Sequence, residues 1–310
     1  MAKWAFLFPG QGSQYVGMGK DLQDNFKAAA DVFAEADEAL HEHLTKLCFE
    51  GPEADLKLTM NTQPAILTAS VAVLKVLQSE TGITPSMVAG HSLGEYSALV
   101  ASGALSFADA VRTVRKRGTY MQEAVPVGVG AMAAVLGMDR DVLEKICEEC
   151  SQDESVVPAN YNCPGQILIS GHTGAVEKAA ARAEEEGAKR VVMLQVSAPF
   201  HSPLMKPAAE RLAEALEPIE IMDMSVSVLS NVEADYYPSS NDVKSLLTRQ
   251  VDHPVRWLEQ VEKMLAEGAD QFLELGPGRV LLGLMKKIDR KVSIKNIENT
   301  GGIKKVAESV

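Results

Sequence analysis

The segment at residues 87–96, MVAGHSLGEY, places a serine between two glycines, and these residue types point most directly to chemistry. Small residues at Gly90 and Gly94 permit a sharp turn from a strand into a helix. Such a turn lifts the Ser92 hydroxyl out of the sheet at the positive end of the helix, where the backbone N–H of Leu93 can face an oxyanion. A G-x-S-x-G match alone is as typical of an ordinary turn, so other residues must decide.

A serine hydroxyl needs a base to take its proton as it attacks, and histidine suits this role because its pKa lies near neutral pH. The chain has six histidines, at positions 41, 43, 91, 172, 201 and 253. The first two lie among polar and acidic residues, and His91 points away from its neighbour Ser92 at a sharp turn. His201 lies between Pro199 and Pro203, off any regular element, and is the histidine placed to reach across a cleft.

Strands that alternate with helices must position these residues. The 310 residues suggest two domains, or one large domain with an insertion. The alternation predicts an α/β body with a mostly parallel sheet, in which ligands bind at the carboxyl ends of the strands. The loops at residues 9–14, 90–94 and 276–280 each follow a predicted strand, and their convergence favours catalysis at Ser92.

Residues 127–196 form a separate pattern between two crossings of the chain. Strand, helix, strand, strand, helix and strand are predicted at residues 131–136, 139–150, 155–160, 166–170, 175–186 and 189–196. This βαββαβ order is typical of a ferredoxin-like subdomain. We therefore assign residues 1–126 and 197–310 to a large α/β catalytic domain and residues 127–196 to a small inserted subdomain, with a ligand cleft at the crossings.

Arg117 belongs to a predicted helix that Ser106 caps, with Asp109 three residues on. Apolar residues, Met121 among them, recur on one face of this helix, and Arg117 falls at the border of that face. An arginine at such a border usually extends to water, and helix periodicity alone favours that orientation. The alternative is that its guanidinium reaches a pocket beside Ser92 and pairs with a carboxylate.

Composition and charge exclude several classes of function. The formal net charge of −12 argues against a general nucleic-acid binder, which needs a basic face. The apolar runs are broken by glycine, serine or charge, and the first ends at Pro9, so we expect neither a membrane span nor a signal peptide.

Two short motifs are also incomplete. The C-x-x-C at residues 147–150 lacks a second pair, which favours reduced cytoplasmic thiols over a metal site. Residues 10–15 lack the third glycine of a dinucleotide fingerprint, which would fall at Tyr15.

Six motifs resemble the acyltransferase family of fatty-acid and polyketide synthesis, and within it the free-standing enzymes that transfer malonyl groups. They are FPGQGSQ at 8–14, GHSLGE at 90–95, NCPGQ at 162–166, PFH at 199–201, QVDHPVRW at 250–257 and ELGPG at 274–278. The resemblance extends from Phe8 to about Lys287, and the order of the motifs makes it far more specific than any one of them.

The resemblance implies catalytic roles for the matching residues. It implies that Ser92 is acylated, that His201 is its base and then the acid, and that the backbone carbonyl of Gln250 holds the second imidazole nitrogen. It also implies an oxyanion hole formed by the backbone N–H groups of Gln11 and Leu93.

For the substrate, the resemblance implies that Arg117 pairs with the free carboxylate of a malonyl group, in contrast to the orientation that periodicity favours. Asn160 and Gln166 are expected along the acyl or pantetheine path, with Met121 as a further substrate contact. The bulk of Phe200 is expected to crowd out an α-methyl group.

The implied reaction moves malonyl from malonyl-CoA to the phosphopantetheine thiol of an acyl carrier protein in the cytoplasm, with no metal, organic cofactor, nucleic acid or membrane involved. Carrier proteins are typically acidic, so a local basic surface is expected. The candidates for this surface are Lys189, Arg190, Lys286 and Lys287, with Arg182, Arg290 and Lys291 nearby in sequence. An ordinary solvated charge run is an equal alternative for this surface.

Three other functions remain open. A serine esterase or thioesterase uses the same pair, Ser92 and His201, although Gln250 in place of an acid and an arginine for a carboxylate argue against it. A non-catalytic docking subunit and a nucleotide-dependent oxidoreductase are weaker alternatives.

Overall fold

Two β-sheets organise the chain, and the computed structural model describes residues 3–196 and 198–308. Within these residues the strands are β1 (Trp4–Phe8), β2 (Met87–Gly90), β3 (Gly130–Leu136), β4 (Val156–Cys163), β5 (Gln166–His172), β6 (Arg190–Met193), β7 (Ser227–Val228), β8 (Gln271–Leu275) and β9 (Ser293–Ile297). The larger sheet has the order β7-β2-β1-β8-β9, and all of its neighbouring strands are parallel. The predicted α/β body with a parallel sheet is therefore confirmed.

The central strand β1 is buried along residues 5–8. Such continuous apolar strands require helices on both faces of the sheet. Phe8 pairs with Gly90 and Leu7 pairs with Glu274. The loops that follow β1, β2 and β8 consequently leave the same edge of the sheet.

Helices cover the two sheets. They are α1 (Lys20–Asn25), α2 (Lys27–Leu40), α3 (Leu44–Glu50), α4 (Glu53–Leu56), α5 (Thr59–Thr81), α6 (Gly94–Ala101), α7 (Phe107–Glu123), α8 (Arg140–Cys150), α9 (Thr173–Glu185), α10 (Lys206–Leu216), α11 (Val243–Gln250), α12 (Trp257–Ala266), α13 (Val280–Ile288) and α14 (Thr300–Ala307). Helix α5 is buried along most of its length because it packs between α2, α6 and α7.

The smaller sheet, with the order β4-β5-β3-β6, is antiparallel. Helices α8 and α9 pack on it and share a separate apolar core with it, which includes Leu143, Ile169 and Val176. The βαββαβ order and this strand order are those of a ferredoxin-like subdomain, as predicted. The proposed domain boundaries at 126/127 and 196/197 stay a prediction, and Ser197 and residues 1–2 and 309–310 lie outside the described residues.

Strand β4 joins the subdomain to the body. The Tyr161 N–H donates to the Val255 carbonyl, and the Val255 N–H donates to the Ala159 carbonyl, both at 2.9 Å. Arg140 of α8 also donates to Glu259 of α12 at 2.8 Å. These bonds hold β4, which contributes Asn160 to the cleft, against the chain segment that follows Gln250.

The cysteines of the chain are buried free thiols. Cys147 and Cys150 pack in the core of the subdomain, where burial raises the pKa of the Cys147 thiol to about 12. Among residues 3–196 and 198–308, no three His, Cys, Asp or Glu side chains are grouped as metal ligands, and no helix has the length and apolar character needed to cross a bilayer.

Candidate active site

Ser92 sits at the corner between β2 and α6 with a backbone φ of +51°, in the left-handed region that L-residues rarely adopt. Close contacts at both glycines of the motif impose this corner. A Cβ on Gly90 would lie 1.9 Å from the carbonyl carbon of Gly94, and a Cβ on Gly94 would lie 2.1 Å from the carbonyl oxygen of Phe8. Only glycine at these two positions lets the helix approach the strands closely enough to present Ser92.

Replacing Gly94 by alanine is therefore expected to lower the free energy of unfolding by about 3 kcal/mol or more, because a methyl group there overlaps backbone that cannot move aside. Urea denaturation measures this loss. Gly283→Ala on α13 is the matched control, since its added Cβ meets nothing within 4 Å. We expect the control to be neutral or slightly stabilising. Equal stabilities of the two variants would contradict the close-contact argument.

His201 lies against the Ser92 hydroxyl, with its Nε2 at 2.8 Å from the serine Oγ. Its Nδ1 lies 2.8 Å from the backbone carbonyl oxygen of Gln250. Because a carbonyl oxygen only accepts, Nδ1 carries the proton, and Nε2 keeps the lone pair that can take the serine proton. Burial, and next the positive charge of Arg117, lower the pKa of His201 to about 3, so the imidazole is neutral at neutral pH.

Arg117 is only 2% exposed, so the orientation toward water that helix periodicity favours is wrong. Its Nη2 donates to the Ser92 Oγ at 3.1 Å and to the Gln250 Oε1 at 2.9 Å, and its Nη1 donates to the Gln63 Oε1 at 2.8 Å. All three acceptors are uncharged. None of them is an ion-pair partner in direct contact, so this guanidinium is suited to an anionic group that enters beside Ser92.

A cavity of about 150 Å³ opens beside Ser92. It brings together eight of the ten predicted site residues, namely Gln11, Ser92, Leu93, Arg117, Met121, Asn160, Phe200 and His201. Apolar side chains of the subdomain, Leu168 and Leu194, complete its wall. The cavity is thus small, mostly apolar, and charged at one end.

The backbone N–H groups of Gln11 and Leu93 face no acceptor among the residues that the structure describes, although both residues line the cavity. The Ser92 N–H, by contrast, donates to the Asn231 Oδ1 at 2.7 Å. Two unused donors beside a nucleophile are what a tetrahedral oxyanion requires.

Two predicted residues lie outside the cavity lining. Gln250 acts from behind the site, through its carbonyl to His201 and its side chain to Arg117. Gln166 begins β5, and its Oε1 accepts from the Lys287 Nζ at 2.7 Å. Its place on a pantetheine path therefore stays a prediction.

Three residues of the site have no role in the sequence-based predictions. Gln63 lies in the buried stretch of α5, where Thr62, Thr68 and Ser70 are also polar, so no contrast in the sequence singles it out. Asn231 stabilises the corner, because its side chain accepts from the Ser92 N–H and donates to the Gly90 carbonyl, both at 2.7 Å. Glu95 is fully buried behind the corner. Asn231 lies in no motif, and Glu95 ends the GHSLGE motif at residues 90–95, which indicates no role for it beyond the corner.

His91, which adjoins the nucleophile, points away from it. Its Nε2 lies 2.8 Å from the Asn162 Oδ1, and its ring packs at 5.6 Å from the Trp257 ring. Burial lowers its pKa. Within the described residues, His201 is therefore the histidine in contact with Ser92, and one cavity holds a serine hydroxyl, a neutral imidazole, two backbone N–H groups without an acceptor and a buried cation. That set of groups suits acyl transfer through an acyl-serine, with an acyl group that carries its own negative charge.

Comparisons with known proteins agree with this chemistry. A family described as "Acyl transferase domain" matches residues 5–306. A protein of Bacillus subtilis named malonyl CoA-acyl carrier protein transacylase is 55% identical over 94% of this chain and 92% of its own length. An Escherichia coli protein of the same name is 49% identical, with 93% of each chain covered.

Solved structures give the same result. A malonyl CoA-acyl carrier protein transacylase from Coxiella burnetii superposes with a TM-score of 0.97 at 43% identity, covering 99% of this chain and 97% of that one. A malonyl-transacylase solved in complex with its type II polyketide acyl-carrier protein also gives a TM-score of 0.97, at 45% identity and 100% coverage of both chains.

Proposed function

This chain belongs to the acyl transferase domain family, and from that premise we propose that it transfers a malonyl group from malonyl-CoA to the thiol of an acyl carrier protein. The observation that carries the proposal is the contact of one serine oxygen with two groups. The Ser92 Oγ meets the His201 Nε2 at 2.8 Å and the Arg117 Nη2 at 3.1 Å. A base and a carboxylate-binding cation thus converge on the nucleophile.

The first half of the cycle acylates Ser92. Its Oγ bonds to the thioester carbonyl carbon while its proton passes to the His201 Nε2. The resulting oxyanion accepts from the backbone N–H groups of Gln11 and Leu93, which can lower the barrier by about 3 kcal/mol. The carbon–sulfur bond then breaks, and His201 returns the proton to the departing CoA sulfur.

The second half transfers the acyl group onward. The carrier thiol gives its proton to the His201 Nε2 as its sulfur attacks the malonyl-serine ester, and the same proton returns to the Ser92 Oγ when the ester bond breaks. Every proton and bond is balanced by these residues and the two thiols, so the proposed cycle uses no metal or organic cofactor. We also place it in the cytoplasm, whose reducing conditions suit the buried free thiols.

Selection of the acyl group is assigned to the cavity wall. Arg117 would bind the free carboxylate of malonyl in a charge-assisted and bidentate pair, while its contact with the Gln250 Oε1 keeps the guanidinium in place. Phe200, Met121 and Asn160 line the remaining space, and the small volume disfavours a branched acyl group at that position.

An esterase or thioesterase with the same pair is the second candidate. It is disfavoured because a carbonyl, not a carboxylate, orients His201, and because a simple ester offers no charge to the buried Arg117. The deciding experiment compares free malonate release with malonyl transfer when purified enzyme, malonyl-CoA and holo carrier protein are mixed. We expect transfer to dominate, and hydrolysis as the faster reaction would replace the proposal.

A basic surface is proposed to receive the carrier protein. Lys189 and Arg190 are exposed, and the Lys189 side chain packs over Gly137, whose N–H donates to the Gly165 carbonyl at 2.7 Å. Lys287 donates to the side chain of Gln166, the residue that follows Gly165. Leu168 follows Gln166 by two residues on β5 and lines the cavity, so this surface lies beside the site. Arg182 contributes less charge, because it pairs with Glu185 and Glu186.

Charge reversal tests this surface. In the double variant Lys189→Glu and Arg190→Glu, we expect malonyl transfer to the carrier to slow about tenfold at low salt, with a smaller effect at high salt. Acylation of Ser92 by malonyl-CoA should be unchanged in a stopped-flow assay without carrier. Lys75→Glu, at an exposed position of α5, is the control. Equal transfer rates in the double variant and the control would remove this surface from the proposal.

A further inference from the structure

Glu95 is a carboxyl group that the catalytic cycle above does not use. It is the second residue of α6, it is 0% exposed, and it lies behind the nucleophile rather than in the cavity lining. Its Oε1 accepts from the Tyr237 hydroxyl. Its Oε2 accepts from the Gln250 Nε2 at 2.6 Å and from the Asn231 N–H at 3.1 Å. A buried carboxyl with three donors is costly to desolvate, so its role needs an explanation.

The contact with Gln250 fixes the orientation of that side-chain amide. The Gln250 Nε2 donates to Glu95 and to the Ser92 carbonyl, the latter at 2.9 Å. Since an ionised carboxyl only accepts, the NH2 group must face Glu95, and the Oε1 must face the other way. That oxygen meets the Arg117 Nη2 at 2.9 Å.

We propose that Glu95 is a positioning residue for acyl-group selection: its carboxyl orients the Gln250 amide, and that amide holds the Arg117 guanidinium beside Ser92. The inference rests on the function proposed above, because it concerns the same site. Glu95 acts through Gln250 and touches neither substrate nor reacting atoms. Its negative charge also lies behind the buried cation, which lowers the cost of keeping Arg117 inside the protein.

The ionisation of Glu95 gives the inference a pH signature. Burial raises the pKa of Glu95 to about 7, while the Tyr237, Gln250 and Asn231 hydrogen bonds and the nearby Arg117 oppose that rise. Tyr96 is a further titratable group that interacts with it. Below this pKa the carboxyl loses its negative charge, which weakens its hydrogen bond to the Gln250 amide and its attraction for Arg117, so selectivity for an anionic acyl group should fall as the pH falls through about 7.

Glu95→Gln is the test, because it keeps the side-chain volume and replaces one acceptor oxygen by a donor. The measured quantity is the ratio of kcat/KM for malonyl-CoA to kcat/KM for acetyl-CoA. We expect the ratio to fall about 10- to 100-fold and to lose its pH dependence around neutrality. In an Arg117→Ala background the same substitution should change the ratio less than about twofold, because its target is absent.

A merely structural role predicts a different result. Equal losses for both CoA substrates, or the same loss with and without Arg117, would overturn the inference. If Glu95→Gln does not fold, Gln250→Met gives the answer, since it removes the amide and keeps the carbonyl that holds His201. The ratio should again fall, and an unchanged ratio would overturn the inference. Wild-type enzyme that transfers no malonyl would overturn both this inference and the proposed function, whereas an active wild type with an unaltered variant ratio overturns the inference alone.

Discussion

His201→Ala is expected to lower kcat for malonyl transfer by about three orders of magnitude, because the base for the Ser92 proton is lost. Nothing else within the described residues is placed to take the Ser92 proton: Arg117 is a donor only, and His91 is bound to Asn162. Acylation of the enzyme and transfer to the carrier should slow together, because the same imidazole serves both half-reactions.

The measurement is a rapid-quench assay of acyl-enzyme formation, followed by transfer to holo carrier protein. His43→Ala is the matched control, since this histidine is exposed. Circular dichroism should show that both variants are folded. A His201→Ala enzyme that acylates within tenfold of wild type would require another base, and would contradict the assigned role.

Arg117→Ala is expected to lower kcat/KM for malonyl-CoA by about 10³-fold, because a buried, charge-assisted pair with the substrate carboxylate is lost. The rate with acetyl-CoA should fall much less. Removal of this cation also removes one of the causes that lower the pKa of His201, which makes the base stronger for a neutral substrate. The variant should therefore transfer acetyl and malonyl at similar rates.

Arg117→Lys separates charge from geometry. It keeps a cation but loses the planar fork that reaches Gln63, Gln250 and the Ser92 hydroxyl together, so its selectivity should lie between those of wild type and the alanine variant. Steady-state kinetics with the two CoA esters measure all three enzymes. A malonyl-to-acetyl ratio that is unaltered in Arg117→Ala would show that another group selects the carboxylate.

Local pattern predicted the elements of this fold well, because the information lies in short stretches. The corner at Ser92 follows from two glycines four residues apart, and the subdomain follows from six elements that are consecutive in sequence. The parallel sheet follows from strands that alternate with helices. Each of these inferences needs only neighbours along the chain.

The environment of Arg117 could not be predicted in that way. Arg117 lies between the apolar and the polar face of α7, and this position is buried because α5 packs against α7. Its partner Gln63 is 54 residues away in sequence. The resemblance to a family, and not the periodicity, indicated the pocket orientation.

The long-range hydrogen bonds that stabilise the Ser92 corner could not be predicted from local sequence pattern either. Asn231 is 139 residues from Ser92, and Gln250 is 155 residues from Glu95. These contacts exist because β7 and α11 return to the edge of the sheet where β2 ends, and no spacing along the chain encodes that meeting.

Ser92 carries the acyl group between the two half-reactions in the proposed cycle. Mass spectrometry of peptides from enzyme incubated with malonyl-CoA, without carrier protein, locates that group. We predict one malonyl group on the peptide that contains Ser92, its loss when holo carrier protein is added, and no adduct in Ser92→Ala. A malonyl group on any other residue, or an adduct that persists in Ser92→Ala, would show that Ser92 is not the acyl carrier.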